Sequence, residues 1–135
     1  MKILYLYSEI MPYNIPVLEE FVQNCNCEVH VVHWDHKGLN PYKPPKFGNV
    51  IYYKRSGYNK SQLLKLTREI QPDIINISGW MDKDYLSVVK KFKEQGIPVV
   101  TGFDDQWVGT LRQRVGSLIF PPPCTAKPAG LSITK

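Results

Sequence analysis

Five short apolar runs constrain this chain more than any other feature. They read KILYLYS at 2–8, CEVHVVHW at 27–34, VIYYKR at 50–55, PDIINIS at 72–78 and IPVVTG at 97–102. The first is continuously apolar, which is the mark of a strand covered on both faces. Segments with a 3.6-residue period separate most of them. Ile15, Val17, Leu18, Phe21 and Val22 form one stripe, with Asn14 placed to cap it and Pro16 in its first turn. Leu63, Leu64, Leu66 and Ile70 form a second, opened by Asn59 with Gln62 at capping-box distance. Tyr85, Val88, Val89 and Phe92, after Asp82, form the most regular stripe, and Gly96 ends it. Thr110 and Gln113 open another capping box, ahead of Leu111, Val115, Leu118 and Ile119.

Strands of about five residues alternating with helices predict βαβ units and a parallel sheet. The expected fold is α/β: a Rossmann-like, doubly wound parallel sheet of about five strands with helices on both faces. Residues 36–49, rich in Pro, Gly and Asn, read as a loop. The fold is expected to occupy residues 1–120. From Pro121 to Pro123 onward periodicity stops, and 121–135 reads as an irregular Pro-rich tail.

The 135 residues suffice for one domain with a real core. A net charge of +5 fits either an anionic partner or a simple solubility charge. The basic residues form no run that resembles a nucleic-acid arm, so no nucleic-acid partner is expected. Three cysteines at 25, 27 and 124 lack disulfide or zinc spacing. They argue for a reducing, cytoplasmic setting. No apolar run approaches the length of a membrane helix. Peripheral contact with the inner face of a membrane stays open, since Arg112 and Arg114 flank an apolar stripe.

Open α/β sheets bind ligands beyond the carboxyl ends of their strands. Ser8 and Glu9 follow the first strand there, and Trp34, Asp35 and His36 the second. Arg55 and Ser56 follow the third, Ser78, Gly79, Trp80 and Asp82 the fourth, and Gly102, Asp104, Asp105 and Trp107 the fifth. All three tryptophans fall in this set. Indoles beside carboxylates and amides suit a polyhydroxylated ring, although each could also simply cover the sheet end. Asp104 and Asp105 are adjacent, so on an extended strand end they point opposite ways. One can face the cleft while the other caps a helix or bonds backbone. They have no obvious companions for a metal, and none is expected. His30 and His33 lie on opposite strand faces and cannot share an ion. No G-x-G-x-x-G follows the first strand, and neither a P-loop nor a G-x-S-x-G elbow is present. This counts against a nucleotide-dependent dehydrogenase or epimerase.

Three segments carry a family resemblance: MKILYLYSEI, PDIINISGW and GIPVVTGFDDQW. Over about residues 1–120 the chain resembles the N-terminal, acceptor-side domain of a GT-B glycosyltransferase of the family-4 type. It departs from the family in lacking a Gly-Gly turn after the first strand and in carrying Ser78 where a His is frequent. The resemblance implies half of a retaining, hexosyltransferase-type enzyme of polysaccharide biosynthesis. Such an enzyme moves a sugar from a nucleotide-sugar donor to a glycan or lipid-linked acceptor, with no separate cofactor. It places Asp104 at the catalytic position and Trp34, Trp80 and Trp107 around the cleft. Ser8, Glu9, Ser78, Gly79, Gly102 and Asp105 complete the expected substrate-binding set. Family members carry most of the donor site on a second domain, so this chain is expected to be truncated and inactive alone. The alternative is a non-enzymatic Rossmann-like module that binds a ligand in its sheet-end crevice.

Overall fold

The structure, a computed structural model, describes residues 1–35, 42–79 and 81–101. Ten of the twelve positions in β1 (Lys2–Tyr7) and β2 (Glu28–His33) carry the apolar runs and neighbouring histidines, and their central four residues are buried. β3 (Val50–Lys54), β4 (Ile74–Ile77) and β5 (Val99–Thr101) complete the sheet. The order is β3-β2-β1-β4-β5, and every pairing is parallel. This is the Rossmann-like α/β arrangement the alternation of strands and helices predicts. Among the described residues, no helix is long and apolar enough to cross a membrane.

Alternate strand residues feed two separate cores, because side chains point to opposite faces in turn. On one face Ile3, Tyr5, Val29, Val31 and Val50 pack with Ile15 and Leu18 of α1 (Ile15–Gln23). On the other, Leu4, Leu6, Val32, Ile75, Ile77 and Val99 meet two helices. These are α2 (Lys60–Ile70), through Leu63 and Ile70, and α3 (Lys83–Glu94), through Tyr85, Val88, Val89 and Phe92. The three sequence stripes at 15–22, 63–70 and 85–92 are therefore the inward faces of these helices, except that Val17 turns to solvent, because Ile15 and Leu18 are the residues α1 buries.

Helix starts divide into one that differs from expectation and two that match it. Asn14 does not cap α1: it has helical backbone angles, and its side-chain oxygen accepts from the Met11 N–H at 2.8 Å. Pro12–Asn14 already wind as a short 3-10 turn, so the chain enters the helix three residues early and Asn14 closes that turn. Asn59 and Gln62 form the reciprocal box, each side chain accepting from the other's backbone N–H at 2.9 Å. Asp82 caps α3 by accepting from the N–H groups of Asp84 and Tyr85. Ahead of β3, Gly48 sits at φ +48, and a Cβ there would come within 2.5 Å of Val22 Cγ1. Glycine is thus required at that turn both by its backbone angle and by the approach of α1.

Candidate functional site at the carboxyl ends of the strands

Helix α1 covers one face and α2 with α3 the other, so the chain changes direction between β1 and β4. The carboxyl ends of those two strands form the crevice where such sheets bind ligands. The backbone ladder continues one residue past each strand here. Trp34 N–H donates to Ser8 O at 2.8 Å and Ser78 N–H to Leu6 O at 3.0 Å. The Ser78 hydroxyl closes the gap, accepting from Ser8 N–H at 3.0 Å. Ser8 and Ser78, two of the expected binding residues, are therefore brought together across 70 positions of sequence. Glu9 sits half-buried next to them, between Ser8 and the buried Ile10. Gly79 follows Ser78 at φ +107, a turn that L side chains rarely adopt.

Beside the crevice lies an open cleft of about 340 Å³, lined by Trp34, Arg55, Ser56, Met81, Asp82 and Lys83. An ion-pair network frames it. Arg55 Nε donates to Asp82 Oδ2 at 2.7 Å, and its Nη2 donates to Asp84 Oδ2 at 2.6 Å and to Asp82 Oδ1 at 3.3 Å. The remaining guanidinium nitrogen donates to the Tyr58 carbonyl. The Trp34 indole N–H donates to Asp82 Oδ2 at 3.1 Å. Arg55 also lies over the Tyr85 ring, 5.5 Å from its centroid, a cation–π contact. The Tyr85 hydroxyl in turn donates to the carbonyls of Tyr7 and Val32, at 3.2 and 3.1 Å. One residue of α3 thus ties the ends of β1 and β2 to the cleft wall.

The Arg55 and Asp82 side chains are 15% and 10% exposed, so their pairing is largely out of water. Burial pushes the Asp82 carboxyl up, but Arg55, the Trp34 indole and two helix N–H groups outweigh it and hold it below the ordinary range. Its hydrogen bond to Asp82 raises the Arg55 pKa further. Burial pushes the Tyr85 phenol far up, so it remains a donor at any physiological pH. Asp35 anchors the next loop by accepting from the Ser56 N–H and hydroxyl.

Of the sequence-predicted site, Ser8, Glu9, Ser78 and Gly79 gather at the crevice and Trp34 at the adjoining cleft. Trp80, Gly102, Asp104, Asp105 and Trp107 lie outside the described residues, as do His36, the helix expected after Thr110 and the tail 121–135. Strand-end reasoning names Arg55 and Asp82 without joining them, and it misses Asp84, the third member of the network. A lone arginine after one strand and an aspartate before a helix were the available signals. His30 is a core residue: its Nε2 donates to Glu28 at 2.6 Å and its Nδ1 meets the Tyr53 hydroxyl at 2.9 Å. His33 Nδ1 donates to the Trp34 carbonyl. The two rings do serve opposite faces, as strand alternation requires.

No protein-family model matches the chain. No curated protein matches it either. Among solved structures it is similar to the Bordetella bronchiseptica enzyme WbmH in complex with NAD+, at 16% identity and a TM-score of 0.44. The alignment covers 72% of this chain and 36% of WbmH, so the chain spans little more than a third of that structure's length. A likeness that distant carries no argument about function; the fold stands on the sheet order and the two helical layers.

Proposed function

We propose that the domain is the acceptor-side half of a retaining glycosyltransferase, and that the strand-end cleft holds a neutral sugar. The observation that carries this reading is the charge state of the cleft wall. Asp82 and Asp84 offset the charge of Arg55, and four of its five N–H donors are engaged, which leaves it poorly placed to grip a phosphate in the bidentate way. The rest of the lining offers the Trp34 ring, carboxylate oxygens, the Ser56 hydroxyl oxygen as an acceptor and the exposed Lys83. Those groups suit the apolar faces and hydroxyls of a sugar better than a nucleotide diphosphate. Donor phosphates would bind on a second α/β domain, supplied in cis or in trans, and residues 1–135 alone would not turn over. The acceptor hydroxyl would lie toward Asp104, which would orient it or stabilise positive charge developing on the sugar. Trp80 and Trp107 would complete the cleft, and Gly102 and Asp105 would join the substrate-binding set beside Asp104.

Titrating the chain with neutral oligosaccharides and with nucleotide-sugars, while following tryptophan emission, tests this directly. A response to the oligosaccharide that is lost in Trp34→Phe supports the cleft. A flat response to every sugar removes the reading. In a polypeptide that includes the second domain, Asp104→Asn should lower transfer far more than Asp105→Asn, and equal losses would reject the assignment of Asp104. The satisfied polar groups also favour a second reading: a binding module without chemistry, for which sugar binding would survive and transfer would never appear.

A further inference from the structure

The outer edge of β3 is a second surface with a clear chemical bias, separate from the cleft. Between Asp35 and Glu69 the chain contains no acidic residue, while Lys43, Lys46 and Lys54 stand exposed. These cations are spread through the sequence and form no run, but Lys46 lines the groove at β3, Lys54 ends that strand and Lys43 lies in the segment leading to it. Among the described residues β3 ends the sheet. Val29 N–H donates to Asn49 O at 2.9 Å, and Val29 registers with Val50. In a parallel ladder that pattern uses the backbone groups of Asn49, Ile51 and Tyr53 toward β2. By alternation the C=O of Val50, both groups of Tyr52 and the N–H of Lys54 point away from the sheet. An open groove of about 470 Å³ runs beside them, lined by Lys46, Phe47, Gly48, Val50, Ile51 and Tyr52. Ile51 is 43% exposed within it, unusual for a large apolar side chain next to a core.

Lysines on an edge strand discourage pairing with another copy of the same edge, because like charges would come together. The same lysines attract an acidic strand. We infer that the β3 edge accepts an extended acidic segment of another polypeptide by strand addition. Main-chain hydrogen bonds to Val50–Lys54 supply the pairing, the Phe47 and Ile51 groove takes an apolar side chain, and Lys43, Lys46 and Lys54 select for carboxylates.

The probe is a blocked nonapeptide of alternating glutamate and valine, titrated at low ionic strength into the ¹⁵N-labelled 135-residue chain. Shifts across Val50–Lys54 and slowed amide exchange at Tyr52 and Lys54 are expected, with the cleft residues unmoved. Lys54→Gln removes one charge; Lys54→Pro also removes an outward N–H while leaving the β2 ladder intact, which an edge strand tolerates. The proline variant should bind about fivefold more weakly than the glutamine variant, the value of one net hydrogen bond. Should the proline variant not fold, a peptide of the same charge with alternate amides N-methylated decides, with binding about tenfold weaker or worse expected. Equal binding of the methylated peptide, or of a lysine–valine peptide, overturns the inference. So does an inert acidic peptide alongside binding to phosphatidylglycerol vesicles, which would make the patch a membrane surface.

Discussion

Replacing Asp82 with alanine removes five hydrogen bonds at once, and their sizes can be worked from the geometry. The cap on α3 is lost, which costs about 1 kcal/mol. Arg55 keeps Asp84 and the Tyr58 carbonyl but loses its two bonds to Asp82. Stripping one partner from a fully buried pair costs about 3–5 kcal/mol. The 15% exposure of Arg55 and its surviving partner bring that share to about 1–2 kcal/mol. The Trp34 indole N–H also loses its acceptor, worth about 0.5–1 kcal/mol. The total is about 3 kcal/mol. Asp82→Asn keeps a capping oxygen and an acceptor for the indole, so it should cost only about 1–2 kcal/mol. Urea unfolding of the full chain, followed by far-UV circular dichroism, measures both, and a shift in midpoint at constant slope reports stability. If Asp82→Ala falls within about 0.5 kcal/mol of the parent, the range of a neutral surface change, the network does not hold the cleft together.

Other outcomes follow from the same structure. Gly48→Ala should destabilise by about 1–3 kcal/mol, because φ +48 is strained for alanine and its Cβ meets Val22 Cγ1; an unchanged urea midpoint would contradict that turn. Leu18→Ala and Leu63→Ala should each cost about 2–5 kcal/mol. Because the two leucines belong to cores on opposite faces of the sheet, the double mutant should be additive within about 0.5 kcal/mol, and strong coupling would argue against two separate layers. The depressed pKa of Asp82 stabilises the fold above the ordinary carboxylate value of about 3.9. That contribution is lost as pH falls below this value and through the lower folded one, so the parent should lose more stability than Asp82→Asn between neutral pH and pH about 3.

Most of the architecture was legible in the sequence because it rests on local pattern. The Tyr85–Phe92 stripe has one apolar face to offer, and it packs against the sheet and α2. The Asn59–Gln62 box needs only four residues to close. Asn14 misled because Pro12 starts the helical winding early, so its side-chain oxygen accepts from the Met11 N–H and does not cap α1. The site was less legible. Ser8 and Ser78 could be placed at strand ends, but their hydrogen bond depends on β1 and β4 being neighbours, which sequence order conceals. Arg55 and Asp82 lie 27 residues apart on different loops, and only the shared end of the sheet joins them. The basic edge at β3 was hidden for a similar reason: its lysines are spaced in sequence, and they bear on an open strand edge only because β3 lies at the sheet boundary among the described residues.

The central claim is that the strand-end cleft binds a neutral sugar. The most direct test is a ¹H–¹⁵N titration of the chain with a neutral oligosaccharide, following the Trp34 indole N–H together with the Ser8 and Ser78 amides. The account predicts saturable shifts of all three, abolished for the two serines in Trp34→Phe and unaffected by Lys54→Gln. Saturable shifts confined to residues away from these strand ends, or no shifts at all with the fold intact, would contradict it.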